Sequence, residues 1–144
     1  MSSYVESVLS KEEKINYAAK ISFWSLMPLT IFGLIFLFLS PNDNFRGIGL
    51  IFFIIAFIRY KTTELVVTNK KLIAKVGFVK RRTIELLLNK VESVQVNQSV
   101  LGRMLNYGSV IVSGAGTPQA PVKGISNPIE FRKQFMEIQE KANE

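Results

Sequence analysis

The chain has 144 residues, a net charge of +7 and neither cysteine nor histidine, which excludes disulfides, thiol nucleophiles, Cys/His metal sites and every imidazole-dependent triad. Hydrophobic residues make up 48% and charged residues 20%, with a mean hydropathy of +0.23, which is more apolar than an ordinary soluble domain of this length. The positive excess points to an anionic partner and is unevenly placed: residues 59–144 hold 14 basic and 7 acidic side chains, whereas residues 1–58 net to zero.

Residues 1–20 balance Lys11, Lys14 and Lys20 against Glu6, Glu12 and Glu13, and Ser10-Lys11-Glu12-Glu13 has the spacing of a capping box. An uncharged run follows, its apolar part covering residues 21–39. Nineteen helical residues extend about 28 Å, close to the roughly 30 Å of a hydrocarbon core, so this segment is predicted to span a membrane with Trp24 at the interface. Pro41-Asn42-Asp43-Asn44 signals a turn. A second apolar run, residues 47–58, is too short alone. Counted over 45–60 it reaches about 24 Å and spans if Arg46 and Arg59 snorkel; the alternative is a re-entrant or interfacial helix. The Lys/Arg distribution predicts a multi-pass inner-membrane protein with both termini cytoplasmic and residues 40–46 outside. Trp24, Arg59, Tyr60 and Lys61 are its expected interface anchors.

The periodicity changes at Thr62, which opens a predicted domain over 62–144. TTELVVT reads as a strand, Asn69-Lys70 as a tight turn with Asn tolerating positive φ, and Lys71 to Val76 as the return strand. Gly77-Phe78 turns the chain again. Ile84, Leu86 and Leu88 share one face of the next strand, and VESVQVN follows. Ser99 is placed to N-cap a short helix ended by Gly108, SVIVS is a further strand, and GAGTPQAP is a turn-rich break before VKGI. Asn127-Pro128-Ile129-Glu130 has the spacing of a capped helix start, after which Phe131, Phe135, Ile138 and Ala142 form an apolar stripe. About six short antiparallel strands followed by one amphipathic helix predict an α+β domain, a curled sheet or partly open barrel carrying that helix.

The T-N-K-x-L-I hairpin, the G-x-x-x-R-R turn, the L-x-K-V-E-S-V-x-V-x-Q-S-x-L-G-R-x-L-x-Y-G-x-V-x-V core and the closing N-P-x-E-F resemble the bacterial pleckstrin-homology (PH)-like domain of small membrane proteins. The resemblance covers residues 62–140. It implies a PH-like barrel capped by a helix and anchored by a preceding two-helix transmembrane hairpin, without an agreed biochemical activity. Relatives tend to carry a Gly-Glu pair before an extended N-terminal stretch. Ser10-Lys11-Glu12-Glu13 departs from that, leaving residues 1–20 open between helix and strand.

The main candidate site is basic. Lys70, Lys71, Lys75, Lys80, Arg81 and Arg82 fall on one predicted hairpin and its following turn, and only Arg59-Tyr60-Lys61 separates them from the hydrophobic segment. So short a tether holds them within about 10 Å, one Debye length, of a headgroup surface. The competing reading is an ordinary positive-inside flank. Arg103 and Tyr107 are candidate partner contacts; alternatively Leu101, Met104 and Leu105 plug the barrel while Gly102 and Gly108 permit tight turns. Gly114-Ala115-Gly116-Thr117 lacks the lysine and strand–helix context of a phosphate loop and is expected to be a hairpin turn. Glu85 and Glu92 are expected on solvated strand faces. No catalytic residue, metal ligand or cofactor is expected. The leading function is a non-enzymatic binding or scaffold module acting on anionic headgroups non-specifically, or on a protein partner or second copy. The alternative is an oligomeric membrane effector or transporter component working through the hairpin. Nucleic acid is disfavoured because the basic strands lack interleaved aromatics.

Overall fold

The computed structural model describes residues 3–77 and 82–144. A short helix α1 (Ser3–Val8) leads into strand β1 (Ile15–Ala19). A 3-10 turn (Phe23–Leu26) then opens a helical hairpin, α2 (Met27–Phe38) and α3 (Asp43–Thr62). Next come β2 (Glu64–Thr68), β3 (Lys71–Val76), β4 (Arg82–Leu87), β5 (Val91–Asn97), helix α4 (Val100–Met104), β6 (Tyr107–Gly114), β7 (Thr117–Ser126) and helix α5 (Pro128–Asn143). All described strand pairs are antiparallel, in two sheets of order β1-β2-β3-β4 and β5-β6-β7.

Period-two patterning explains the first sheet. Leu65 and Val67 of β2, Leu72 and Ala74 of β3, and Leu86 of β4 point into the main core, which Val94, Val110, Val112, Val122 and Ile125 fill from the second sheet. Phe131 and Phe135 of α5 complete it, and the Phe131 ring meets Tyr17 of β1 edge-on at 5.8 Å. The other face of the first sheet is covered by α1, whose Val5 packs on Val66 and Ile73. Strand β1 therefore belongs to the sheet, pairing Ala19 with Leu65, and the helical hairpin is an insertion between neighbouring strands.

The hairpin overturns the transmembrane reading. Among the described residues no helix is long and apolar enough to cross a membrane. Residues 21–39 do not form one helix. Ile21 bridges to Ile125, the Ser22 N–H donates to the Gly124 carbonyl at 2.8 Å, and the 3-10 turn uses the next residues. Helix α2 is left with 12 residues, about 18 Å. Helix α3 has 20 residues but carries Asp43 and Arg46 at one end and Arg59 and Lys61 at the other. The predicted transmembrane hairpin, and with it the multi-pass inner-membrane placement with two cytoplasmic ends, is corrected to a short antiparallel hairpin. Gly33 and Gly49 face each other across it: a Cβ at Gly49 would lie 2.8 Å from the Gly33 carbonyl oxygen. Phe52 stacks against Phe32 and Phe36.

Three local expectations also change. The Asn69-Lys70 turn needs no positive φ; instead the Thr68 hydroxyl accepts the backbone N–H groups of Lys70 and Lys71. Asn127 does precede α5, but in the left-handed region and without a side-chain cap; its side chain instead accepts a hydrogen bond from Asn106. The expected break at GAGTPQAP is confined to a turn at Ala115-Gly116, with Gly116 at φ +73°, and β7 runs on for ten residues.

Candidate functional site

Antiparallel register divides the basic residues predicted to act together. Lys75 on β3 faces Glu64 on β2, the first strand residue after α3, so Lys75 stands at the hairpin end of the sheet. Arg82 pairs with Val76 at the same end. Lys70 and Lys71 stand at the far end, about 13 Å further along β3. Lys80 and Arg81 lie outside the described residues.

The far-end lysines are engaged within the protein. The Lys71 side chain, only 15% exposed, donates to Glu85 at 3.0 Å and to the Val8 carbonyl at 3.1 Å, and stands 3.7 Å from the Glu13 carboxylate. Glu13 accepts the Thr68 hydroxyl at 2.6 Å and the Ser10 N–H at 3.2 Å. Burial alone would raise the Glu13 pKa; the Thr68 and Ser10 hydrogen bonds and the Lys71 ammonium outweigh it and hold the carboxyl below its ordinary value. Burial would likewise lower the Lys71 pKa, but Glu85 and Glu13 raise it above the ordinary lysine value. The pairing Ser10–Glu13 seen in the sequence thus closes a turn and feeds a buried ion pair rather than starting a helix. Lys70 stays exposed, 4.0 Å from Glu12.

At the hairpin end a different group assembles. Lys20 and Lys61 line a groove of about 360 Å³ with Tyr60, Thr63 and Glu64. Arg59 and Lys123 line a second, of about 310 Å³, with Ser25, Asn97, Ser99 and Tyr107. Lys61 lies over the Phe57 ring at 6.0 Å. Trp24 and Phe23, in edge contact at 6.5 Å, are both exposed beside this junction. Gly124 permits the joint: at φ +79°, it would place a Cβ only 2.5 Å from the Ser25 hydroxyl oxygen. Sequence reasoning identified Trp24, Arg59, Tyr60 and Lys61 but passed over Lys20 and Lys123. These are distant in the chain and meet the hairpin only because β1 and β7 end there.

Beyond the junction, the outward faces of both helices are apolar. Ile31, Phe32, Leu34, Ile35 and Phe38 on α2, and Ile48, Leu50, Ile51, Ile54, Ile55 and Phe57 on α3, are exposed. Arg103 lies in α4, within the β5–β6 connection, and Tyr107 opens β6 beside Arg59 and Lys123 at this end. Leu101 and Met104 do not plug the space between the sheets; they are exposed, whereas Gly102 is buried, where a Cβ would meet the Tyr107 carbonyl oxygen at 2.6 Å.

Two antiparallel sheets around one core, with a C-terminal helix packed into it, define a small β-rich module of the PH-like class. The bacterial PH domain family matches residues 15–139, from the first residue of β1 to within α5, and the chain belongs to that family. No curated protein and no solved structure matches it.

Proposed function

We propose that this chain is a non-catalytic PH-like binding module that docks on an anionic lipid surface, its hairpin entering the acyl layer without crossing it. The observation that carries this reading is the sequence of surfaces along the hairpin axis: a tip that carries Asp43 and Arg46 and opposes passage to the far leaflet, apolar outward faces on α2 and α3, then Trp24 and Tyr60, then Lys20, Arg59, Lys61 and Lys123 at the junction with the sheets. An apolar body, an aromatic belt and a basic collar match the layers of a bilayer leaflet in order. Helix α2 and the uncharged stretch of α3 each extend about 18 Å, against a hydrocarbon core of roughly 30 Å. Each collar cation near an anionic leaflet contributes about 1 kcal/mol. Among the described residues no preformed phosphate cage supports headgroup selectivity, so the attraction follows surface charge.

Vesicle flotation of the full chain tests this. It should float with vesicles containing a third phosphatidylglycerol, and substitution of Lys20, Arg59, Lys61 and Lys123 by Gln should reduce flotation most at low salt. A chain that remains with the aqueous fraction as a discrete oligomer would overturn the reading and assign the apolar faces to self-association.

A further inference from the structure

Helix α4 holds its apolar side chains out of the protein. Val100, Leu101 and Met104 are 68%, 61% and 77% exposed. The backbone beneath them is firmly held. The Ser99 hydroxyl accepts the Gly102 N–H at 3.1 Å, and Gln98 donates to the carbonyls of Gly102 and Tyr107 at 3.3 and 3.1 Å. Buried Gly102 brings the turn onto the β6 backbone. The exposed side chains are thus presented by a braced turn rather than by a fraying end.

The turn stands beside the hairpin junction. Ser99, its N-cap, and Asn97 share a groove with Arg59 and Lys123. The surrounding chain has one sign of charge: from residue 93 to residue 129 there is no acidic side chain, and Arg103 lies between Leu101 and Met104.

We infer that α4 is a second insertion point, in which Val100, Leu101 and Met104 enter the interfacial region of the same anionic leaflet that receives the hairpin while Arg103 pairs with lipid phosphates. This deepens the lipid-docking reading and rests on it. Charge complementarity and the groove that α4 shares with the hairpin junction select an anionic bilayer over an acidic protein as occupant: both apolar surfaces and the collar between them then meet one plane. Two contacts at separate points of the junction fix the tilt of the β-module, which a single hairpin leaves free to rotate.

The absence of native cysteine permits site-specific labelling of the full chain. Met104→Cys carrying the environment-sensitive dye NBD reports on α4. Ala115→Cys, exposed in the β6–β7 turn about 24 Å away along β6, serves as control. On adding phosphatidylglycerol-containing vesicles, the dye at 104 should shift to the blue, and iodide quenching there should fall severalfold, with neither change at 115. Adding Val100→Ser and Leu101→Ser should restore iodide quenching at 104 while flotation persists. Arg103→Gln should weaken the protection at 104 only on anionic vesicles. Intact flotation with unchanged quenching at 104 would overturn this inference and leave hairpin docking standing; loss of flotation by the unsubstituted chain would overturn both. Protection at 104 without vesicles would assign α4 to a contact between copies.

Discussion

Thr68 has no exposed surface, and its hydroxyl answers three demands: it donates to the Glu13 carboxylate and accepts two backbone N–H groups of the β2–β3 turn. Thr68→Val keeps the shape and strands all three, so it should cost about 1–3 kcal/mol in chemical denaturation. Glu13→Gln should cost a similar amount at neutral pH. Its pH dependence follows from the lowered carboxyl pKa: the contribution is fully present above the ordinary value of 4.5 and is lost as pH falls through the lower folded value. The stability gap between the wild-type chain and Glu13→Gln should therefore close in acid. A gap that widens there would contradict the ion-pair geometry. Lys71 has the opposite sign: its pKa is raised, so its contribution is present below the ordinary 10.5 and is lost only as pH rises through the folded value. This network also shows what a linear sequence conceals. Six cations close in sequence read as one cluster, but strand pairing gives Lys71 two carboxylate partners, Glu13 and Glu85, and directs Lys75 and Arg82 to the other end of the sheet.

Among the elements, the hairpin depends on one close approach. At Gly49, an added Cβ would press on backbone atoms, the Gly33 carbonyl and the Leu37 nitrogen, which cannot rotate away. Gly49→Ala should push α2 and α3 apart and destabilise their packing by about 1–3 kcal/mol, measured by thermal unfolding in detergent micelles. Gly47→Ala is the matched control. Nothing lies within 4 Å of its Cβ, so it should be neutral or stabilise α3 by up to about 1 kcal/mol. Equal destabilisation by both would place the glycine effect in helix propensity rather than in packing. Most of these elements were legible beforehand, because period-two alternation and turn residues mark β2 to β6 and the Phe131–Phe135 spacing marks α5. The length of α2 was not: hydropathy reports that residues 21–39 avoid water, but not that Ile21 and Ser22 spend their backbone on β7. The exposure of α4 escaped for a related reason, since Leu101 and Met104 at helical spacing look alike whether they face a core or the outside of the molecule.

For the molecule as a whole, the order of the parts matters. Strand β1 precedes the hairpin and β2 follows it, yet the two strands are neighbours. Within the residues themselves, alternation of Ile15, Tyr17 and Ala19 is the signal for β1, and a five-residue strand with two alanines carries little of it. A chain in which residues 27–61 are replaced by a short Gly/Ser loop should retain both sheets, as judged by cooperative unfolding and near-ultraviolet circular dichroism. A fragment beginning at residue 62 should not, since it lacks Tyr17 against Phe131 and bares the edge of β2. Cooperative unfolding of that fragment would show that β1 is an accessory to the core.

The same arrangement sets an order for folding. The partner of Ala19 arrives only after the entire hairpin has left the ribosome, so β1 cannot close the sheet as it emerges. Once α2 and α3 have zipped together through Gly33 and Gly49, their two feet lie side by side, and the long loop behaves entropically as a short one. Each halving of effective loop length lowers the closure cost by about 0.6 kcal/mol. A hairpin that zips first would thus act as a clasp, delivering the first strand to the edge of a sheet made after it.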